Sequence, residues 1–197
     1  MKPLVDRFDV SLPDDWEKQL PTDRLSCQTS RMEFVLQLAA WNVANKTGGP
    51  FAAAVFDSDA GELVSIGVNR VVPTHCSLAH AEAVAIALAQ QKLETHDLAA
   101  GGGKYELFAS GQPCVQCFGM TWWSGVTRLV IGARSSDIEE LTSFREGPLP
   151  DNWQGLLADR DPLPPIEVVQ DVCRTEARKV LASYTNTGGD DYGPGQS

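Results

Sequence analysis

The sequence predicts an α/β fold, a three-layer α/β/α sandwich around a mixed sheet of about five strands. Two observations carry this. Strand-like segments alternate with segments of helical spacing along most of the chain, after an opening pair that reads as a hairpin. One helical segment, AHAEAVAIALAQQKL, is apolar on nearly every face, as suits a helix packed between a sheet and another layer.

Taken in order, residues 1–28 hold Pro3, Pro13 and Pro21 among acids and polar groups, and read as an irregular arm with a short helix over Asp14 to Gln19. The first long helix is predicted from about Arg31 to Asn45. There Phe34, Val35, Leu38 and Trp41 recur at helical spacing, and Gly48, Gly49 and Pro50 stop it. FAAAVFD (51–57) and ELVSIGVN (62–69) read as two antiparallel strands joined through Ser58 to Gly61. The apolar helix follows over 79–93, with Ser77 as its expected N-cap. KYELFAS (104–110) and RLVIGA (128–133) are the third and fourth strands, and Pro113 is placed at the first position of a helix reaching about Ser124. IEVVQ (166–170) is the fifth strand and 172–184 the closing helix. The main folded domain thus spans 29–184. The Gly- and Asp-rich tail, 185–197, has little to bury and is expected to be mobile unless it docks.

The 197 residues are enough to bury a core without disulfides. A net charge of −10 and a pI near 4.7, with Lys and Arg scattered, oppose a phosphate-tracking surface, so no nucleic-acid partner is expected. Five cysteines, two of them at C-x-x-C spacing downstream of a histidine, suit metal binding in a reducing compartment better than a disulfide framework. Cys27, Cys76 and Cys173 are then expected as small buried hydrophobes. The opening MKPLVDRFDV has no apolar signal core, and no stretch approaches the ~18 apolar residues of a membrane span. A cytoplasmic protein without a membrane partner is the expectation.

The chemistry is concentrated in LAHAEAV (78–84) and SGQPCVQC (110–117). Cys114 and Cys117, three apart in a first helical turn, project from one face, and the helix dipole favours the thiolates a metal requires. His80 opens a different helix, so side chains from two helix starts can converge beyond both ends. Three such ligands with water in the fourth position make a catalytic zinc site, one Zn2+ per subunit. A structural site would be closed by another protein ligand, for which His75, Cys76, His96 and the remaining cysteines are the candidates. Glu82 is an acid in the first turn of an apolar helix. It serves either as a surface charge favouring the helix dipole or as the proton-transfer group beside the metal.

Together the two segments spell H-x-E and P-C-x-x-C, the signature of zinc nucleobase deaminases. In that chemistry hydroxide attacks the carbon bearing an exocyclic amine, Glu82 shuttles the protons, and ammonia leaves. From about Arg31 to Tyr184 the chain resembles the cytidine deaminase-like superfamily and, within it, the bacterial guanine deaminases. GGPFAAAVFD from Gly48, GVNRVV from Gly67, the stretch Cys117 to Trp123 and SFREGPLPDNW (143–153) carry that resemblance. It implies the cytidine deaminase-like fold, deamination of a free aminopurine such as guanine, and a homodimer. Asn69 would bind the purine edge, and Phe51, Ala81, Trp123 and Phe144 would be substrate-binding. Glu146 would be a second catalytic acid, and the tail a lid over the site in its own or the neighbouring subunit. From the residues alone, Asn69 is equally a turn residue, the aromatics core and Glu146 a solvated charge. Deaminases of other small aminated heterocycles or of tRNA adenosine share the metal motif, and a zinc-stabilised binding protein would share it without turnover. The chain departs from the family pattern at Gln112, where Glu is usual, at Arg145, where an acid is common, and at Ala52, where Gly is common.

Overall fold

A computed structural model describes residues 4–193. Its sheet has five strands, β1 (Ala52–Asp57), β2 (Leu63–Val68), β3 (Tyr105–Gly111), β4 (Arg128–Ala133) and β5 (Glu167–Val169), in the order β2-β1-β3-β4-β5. β1 runs antiparallel to both β2 and β3, whereas β3 pairs with β4, and β4 with β5, in parallel. The sheet is therefore mixed, as expected.

Alternation along the strands builds two cores. Ala52, Ala54 and Phe56 of β1, with Phe108 and Val130, face α1 (Gln28–Ala44) and α7 (Arg174–Asn186). Ala53 and Val55, with Leu107, Ala109, Leu129 and Ile131, face α3 (Ala81–Lys92) and α6 (Trp153–Ala158). One-residue steps reverse the side-chain direction in a strand, so each strand serves both layers. The alanines of α3 let that helix approach β2 closely. A Cβ at Gly67 would sit 2.1 Å from the Ala81 carbonyl oxygen, so only glycine permits the contact. At the far end of the sheet, buried Glu106 joins Arg31 of α1 at 2.5 Å and Arg128 of β4 at 2.9 Å.

Several local expectations change. The arm's helix is a 3-10 turn over Trp16–Gln19. α1 begins at Gln28 because Cys27 caps it, its sulfur accepting from the Ser30 amide at 3.4 Å; Cys27 is exposed, not a buried hydrophobe. Cys76 and Cys173 are half-buried, and all five cysteines are free. Ser77 does not cap α3: a short helix, α2 (Val71–Thr74), and a turn precede it, and His80 is the N-cap. Pro113 lies outside the next helix, α4 (Val115–Ser124), whose N-cap is Cys114.

α6 and another short helix, α5 (Ser135–Leu141), were not evident in the sequence. α5 is held from outside. Its buried Asp137 accepts from the Arg134 amide at 2.9 Å and from Arg174 of α7 at 2.7 and 2.8 Å. The tail does not extend away over its described part. After α7 the chain turns back, the Tyr184 hydroxyl donates to the Asp190 carbonyl at 2.7 Å, and Tyr192 packs on Phe144 with ring centroids 4.4 Å apart. Residues 194–197, and 1–3 of the arm, lie outside the described residues.

Candidate active site

The sheet order brings the start of β1 and the ends of β2, β3 and β4 to one edge. Asn69, just past β2, donates its backbone N–H to the Phe51 carbonyl at 2.9 Å, and Gln112, just past β3, donates to the Ala133 carbonyl at 2.8 Å. A cleft of about 720 Å³ opens there, lined by Phe51, Asn69, His80, Glu82, Gln112, Cys114, Phe144, Glu146 and Tyr192, among others.

The His80 Nδ1 atom lies 3.5 Å from Cys114 Sγ and 3.4 Å from Cys117 Sγ. A tetrahedral zinc with Zn–S ~2.3 Å and Zn–N ~2.0 Å requires an N···S edge of ~3.5 Å, so this donor set fits that ion. Among the described residues the cluster contains no fourth His, Cys, Asp or Glu ligand. His80 and Cys114 line the cleft, so a zinc held by the three would be open to it, as in a catalytic site rather than a structural one.

Electrostatics at the metal-free donors follow from their crowding. Cys114 is held down to about 4, chiefly because the Cys117 thiol donates to it, with His80 adding to the effect. Cys117 is correspondingly pushed up, as the proton donor of that pair and by burial. Burial opposes protonation of His80, yet Cys114 and the charges of Glu82 and Glu146 together raise it. Cys117 therefore holds a proton that a divalent cation would displace, while Cys114 is already the thiolate.

Glu82, only 8% exposed, follows His80 by two residues in the first turn of α3. Burial, then the Cys114 thiolate, raises its pKa. That burial rules out the bland reading of a solvated dipole charge. Glu146 belongs to the loop between α5 and α6, which is tied to the metal-binding helix where the Val115 amide donates to the Glu146 carbonyl at 2.9 Å. Burial and the neighbouring charges of Cys114 and Glu82 push its carboxyl up to about 8. The acids are thus near enough to feel each other.

Asn69 is 2% exposed, and its Oδ1 accepts from the Gly49 and Val71 amides at 3.4 and 3.3 Å. Backbone N–H groups only donate, so the oxygen's placement is settled and the Nδ2 donor is left for the cleft. Phe51 and Phe144, with centroids 5.7 Å apart, form an aromatic wall.

Two expected substrate contacts are not in the cleft. Trp123 is 74% exposed: six residues beyond Cys117, it is turned about 240° around the helix from the inward-facing sulfur. Ala81 is fully buried against the sheet with Ala53 and Val55, so its methyl does not line the cleft. Tyr184, at the end of the closing helix, backs Phe144 with ring centroids 6.0 Å apart. Lining residues that sequence reasoning missed include Val71, Val115 and, above all, Tyr192. The signal for Tyr192 was a lone aromatic in a polar tail.

The cytidine and deoxycytidylate deaminase zinc-binding region matches residues 25–133. The chain belongs to this deaminase family. A structure of the guanine deaminase from Nitrosomonas europaea superposes with a TM-score of 0.85 at 44% identity, over 94% of this chain and 100% of that one. A mutant of NE0047 in complex with 8-azaguanine superposes with a TM-score of 0.84 at 45% identity, over 92% and 98%. A protein of Schizosaccharomyces pombe named as a probable cytosine deaminase is 32% identical over 130 residues, 65% of this chain and 74% of its own length. The family and these neighbours share the expected cytidine deaminase-like fold, and the His80, Cys114 and Cys117 cluster is its zinc site.

Proposed function

We propose that this protein converts guanine and water to xanthine and ammonia. One observation carries the reading: an open three-ligand zinc site faces the same cleft as buried Glu82, in a chain 44% identical to a guanine deaminase along nearly its whole length. When bound, zinc supplies a Lewis acid that lowers the pKa of water toward ~7.

The chain's own residues do the rest. Asn69 Nδ2 donates to an acceptor on the purine edge, while Phe51 and Phe144 hold the ring. Glu82 takes one proton from the attacking water and delivers it to the ring nitrogen, then carries a second, from the hydroxyl so added, to the departing amine. Glu146, whose carboxyl is pushed up to about 8 in the metal-free protein by burial and the charges of Cys114 and Glu82, assists as an acid at the amine. Tyr192 covers the ring from the same chain, so the tail acts as a lid in cis. Among the described residues its buried phenol has no hydrogen-bond partner, which supports a contact with the ligand.

The coarser setting follows the same reading. We place the enzyme in the cytoplasm, where its five free cysteines stay reduced, and in purine breakdown. Leu78, Val115 and Trp123 are exposed apolar groups on and beside α4, and we assign that face to a homodimer, to be checked by sedimentation of Trp123→Glu.

The test is ammonia release by zinc-loaded protein from guanine, ammeline, cytosine, adenine, cytidine and guanosine. Guanine is expected to lead. The 32% identity to a probable cytosine deaminase makes cytosine the competing free base, and a preference for it would overturn the substrate assignment while sparing the chemistry.

A further inference from the structure

Behind the nucleobase cleft lies a smaller cavity of about 240 Å³ whose lining includes Ser135, Glu139, Leu149 and Asp151. The two cavities share Gln112, Glu146 and Gly147, so they meet at a common wall. We propose that the smaller cavity is a separate exit for the ammonia produced at the active site. Ammonia would pass Gln112 and Glu146 while the product base still fills the cleft. The proposal rests on the deaminase reading above and adds a route to it.

Three features of the chain support the route. Gln112 is only 8% exposed, and its Oε1 accepts from the Ser135 backbone N–H at 3.3 Å. A backbone N–H only donates, so the amide nitrogen is turned away from Ser135, and among the described residues it has no hydrogen-bond partner. That N–H can donate to the lone pair of a passing ammonia. A carboxylate at this position, usual in the family, could not.

The second feature is charge. The smaller cavity adds Glu139 and Asp151 to the shared Glu146 and is lined by no Lys, Arg or His, whereas the main cleft, with Glu82 and Asp191 beside Glu146, also includes Arg145 and His80. Ammonia takes up a proton from solvent there, and carboxylates favour the resulting ammonium and draw it outward. The third is the roof. Phe144 and Tyr192, 4.4 Å apart, close over the ring side, so a path behind the base lets nitrogen leave before the roof opens.

Glu139 and Asp151 are exposed and touch no substrate; the charge of Glu139 acts on Glu146 less than burial, Cys114, Glu82 and His80 do, and the single-turnover rate reads that effect in each variant. The experiment uses zinc-loaded full-length protein, the charge-reversed Glu139→Lys/Asp151→Lys and the neutral Glu139→Gln/Asp151→Asn. Single-turnover conversion of bound guanine is expected to be unchanged in both. Steady-state kcat is expected to fall about tenfold in the reversed variant and less in the neutral one, leaving a burst of one xanthine per site.

Ammonium chloride, with potassium chloride as the ionic-strength control, should inhibit the parent noncompetitively against guanine, and the reversed variant more weakly. Unchanged kcat in both variants, a parallel fall in the single-turnover rate, or competitive inhibition by ammonium would each overturn the exit. Absence of guanine turnover in the parent would overturn the underlying assignment as well, and is recognisable before any variant is made.

Discussion

Glu82→Gln should separate proton transfer from metal binding. The amide keeps the size of the carboxylate on the first turn of α3 and leaves His80, Cys114 and Cys117 untouched, so one zinc per chain is retained. What is lost is the group that takes the water's proton and delivers it to the leaving amine. A positioned general acid or base contributes ~10²–10⁴ in rate, which at ~1.4 kcal/mol per decade is about 3–5 kcal/mol of transition-state stabilisation. Glu82 serves both directions of transfer, so the upper end of that range is expected in kcat, with little change in KM.

The stability effect has the opposite sign. In the metal-free protein, burial raises the folded pKa of Glu82 above its unfolded value of ~4.3. Its contribution is therefore fully present below the unfolded pKa and is lost as pH rises through the folded one. At pH 8 metal-free Glu82→Gln should be at least as stable to urea as the parent, with the difference vanishing below about pH 4. Ammonia release, zinc quantification and urea melts test the set. A variant that keeps kcat within tenfold of the parent, or that loses its zinc, would refute the assignment of Glu82 as the proton carrier.

Cys114→Ser should abolish stoichiometric zinc binding. Chelating the native protein should expose a fast-reacting thiol absent from the zinc-loaded form, because Cys114 is held down to about 4 without metal; a thiol titration reads this. Asp137→Ala removes a carboxylate that is 1% exposed and bound to Arg174, Arg178 and the Arg134 amide, and should cost about 2–4 kcal/mol at pH 7 in urea melts. The Arg174 hydrogen bonds hold that carboxyl below its usual range, so the stabilisation is complete above the unfolded pKa of ~3.9 and fades as pH falls beneath it. Gly49→Ala places a Cβ 2.3 Å from the Tyr192 hydroxyl and should dislodge the tail, raising KM for guanine with zinc content intact. Tyr192→Ala should reproduce that rise, and a normal KM in both variants would remove Tyr192 from the lid.

The long elements were readable because their signals are local. The helix of Phe34, Val35 and Leu38, the hairpin across Ser58 to Gly61 and the apolar helix after His80 each bury a face that periodicity alone reveals. α5 and α6, of seven and six residues, were invisible for the converse reason. SSDIEEL is mostly polar, and its one central acid is held by arginines some forty residues downstream. Cap positions slipped for a related cause. At both metal-binding helices the ligand itself occupies the N-cap, so His80 and Cys114 stand where Ser77 and Pro113 had been expected to act.

By itself the sequence determined the metal chemistry, because ligands at helix starts need only short-range spacing: His80 with Glu82 on one helix, Cys114 with Cys117 on another. Only the tertiary structure decided what faces the metal. The order β2-β1-β3-β4-β5 brings Asn69, Gln112 and Phe51 to one edge, and the α5–α6 loop and returning tail add Glu146 and Tyr192. Trp123, inside the best-defined motif, was turned outward by the pitch of its helix, while Tyr192, in the least structured segment, was packed against Phe144. Proximity along the chain sets which side chains share a helix turn; burial between distant elements sets which ones share a pocket.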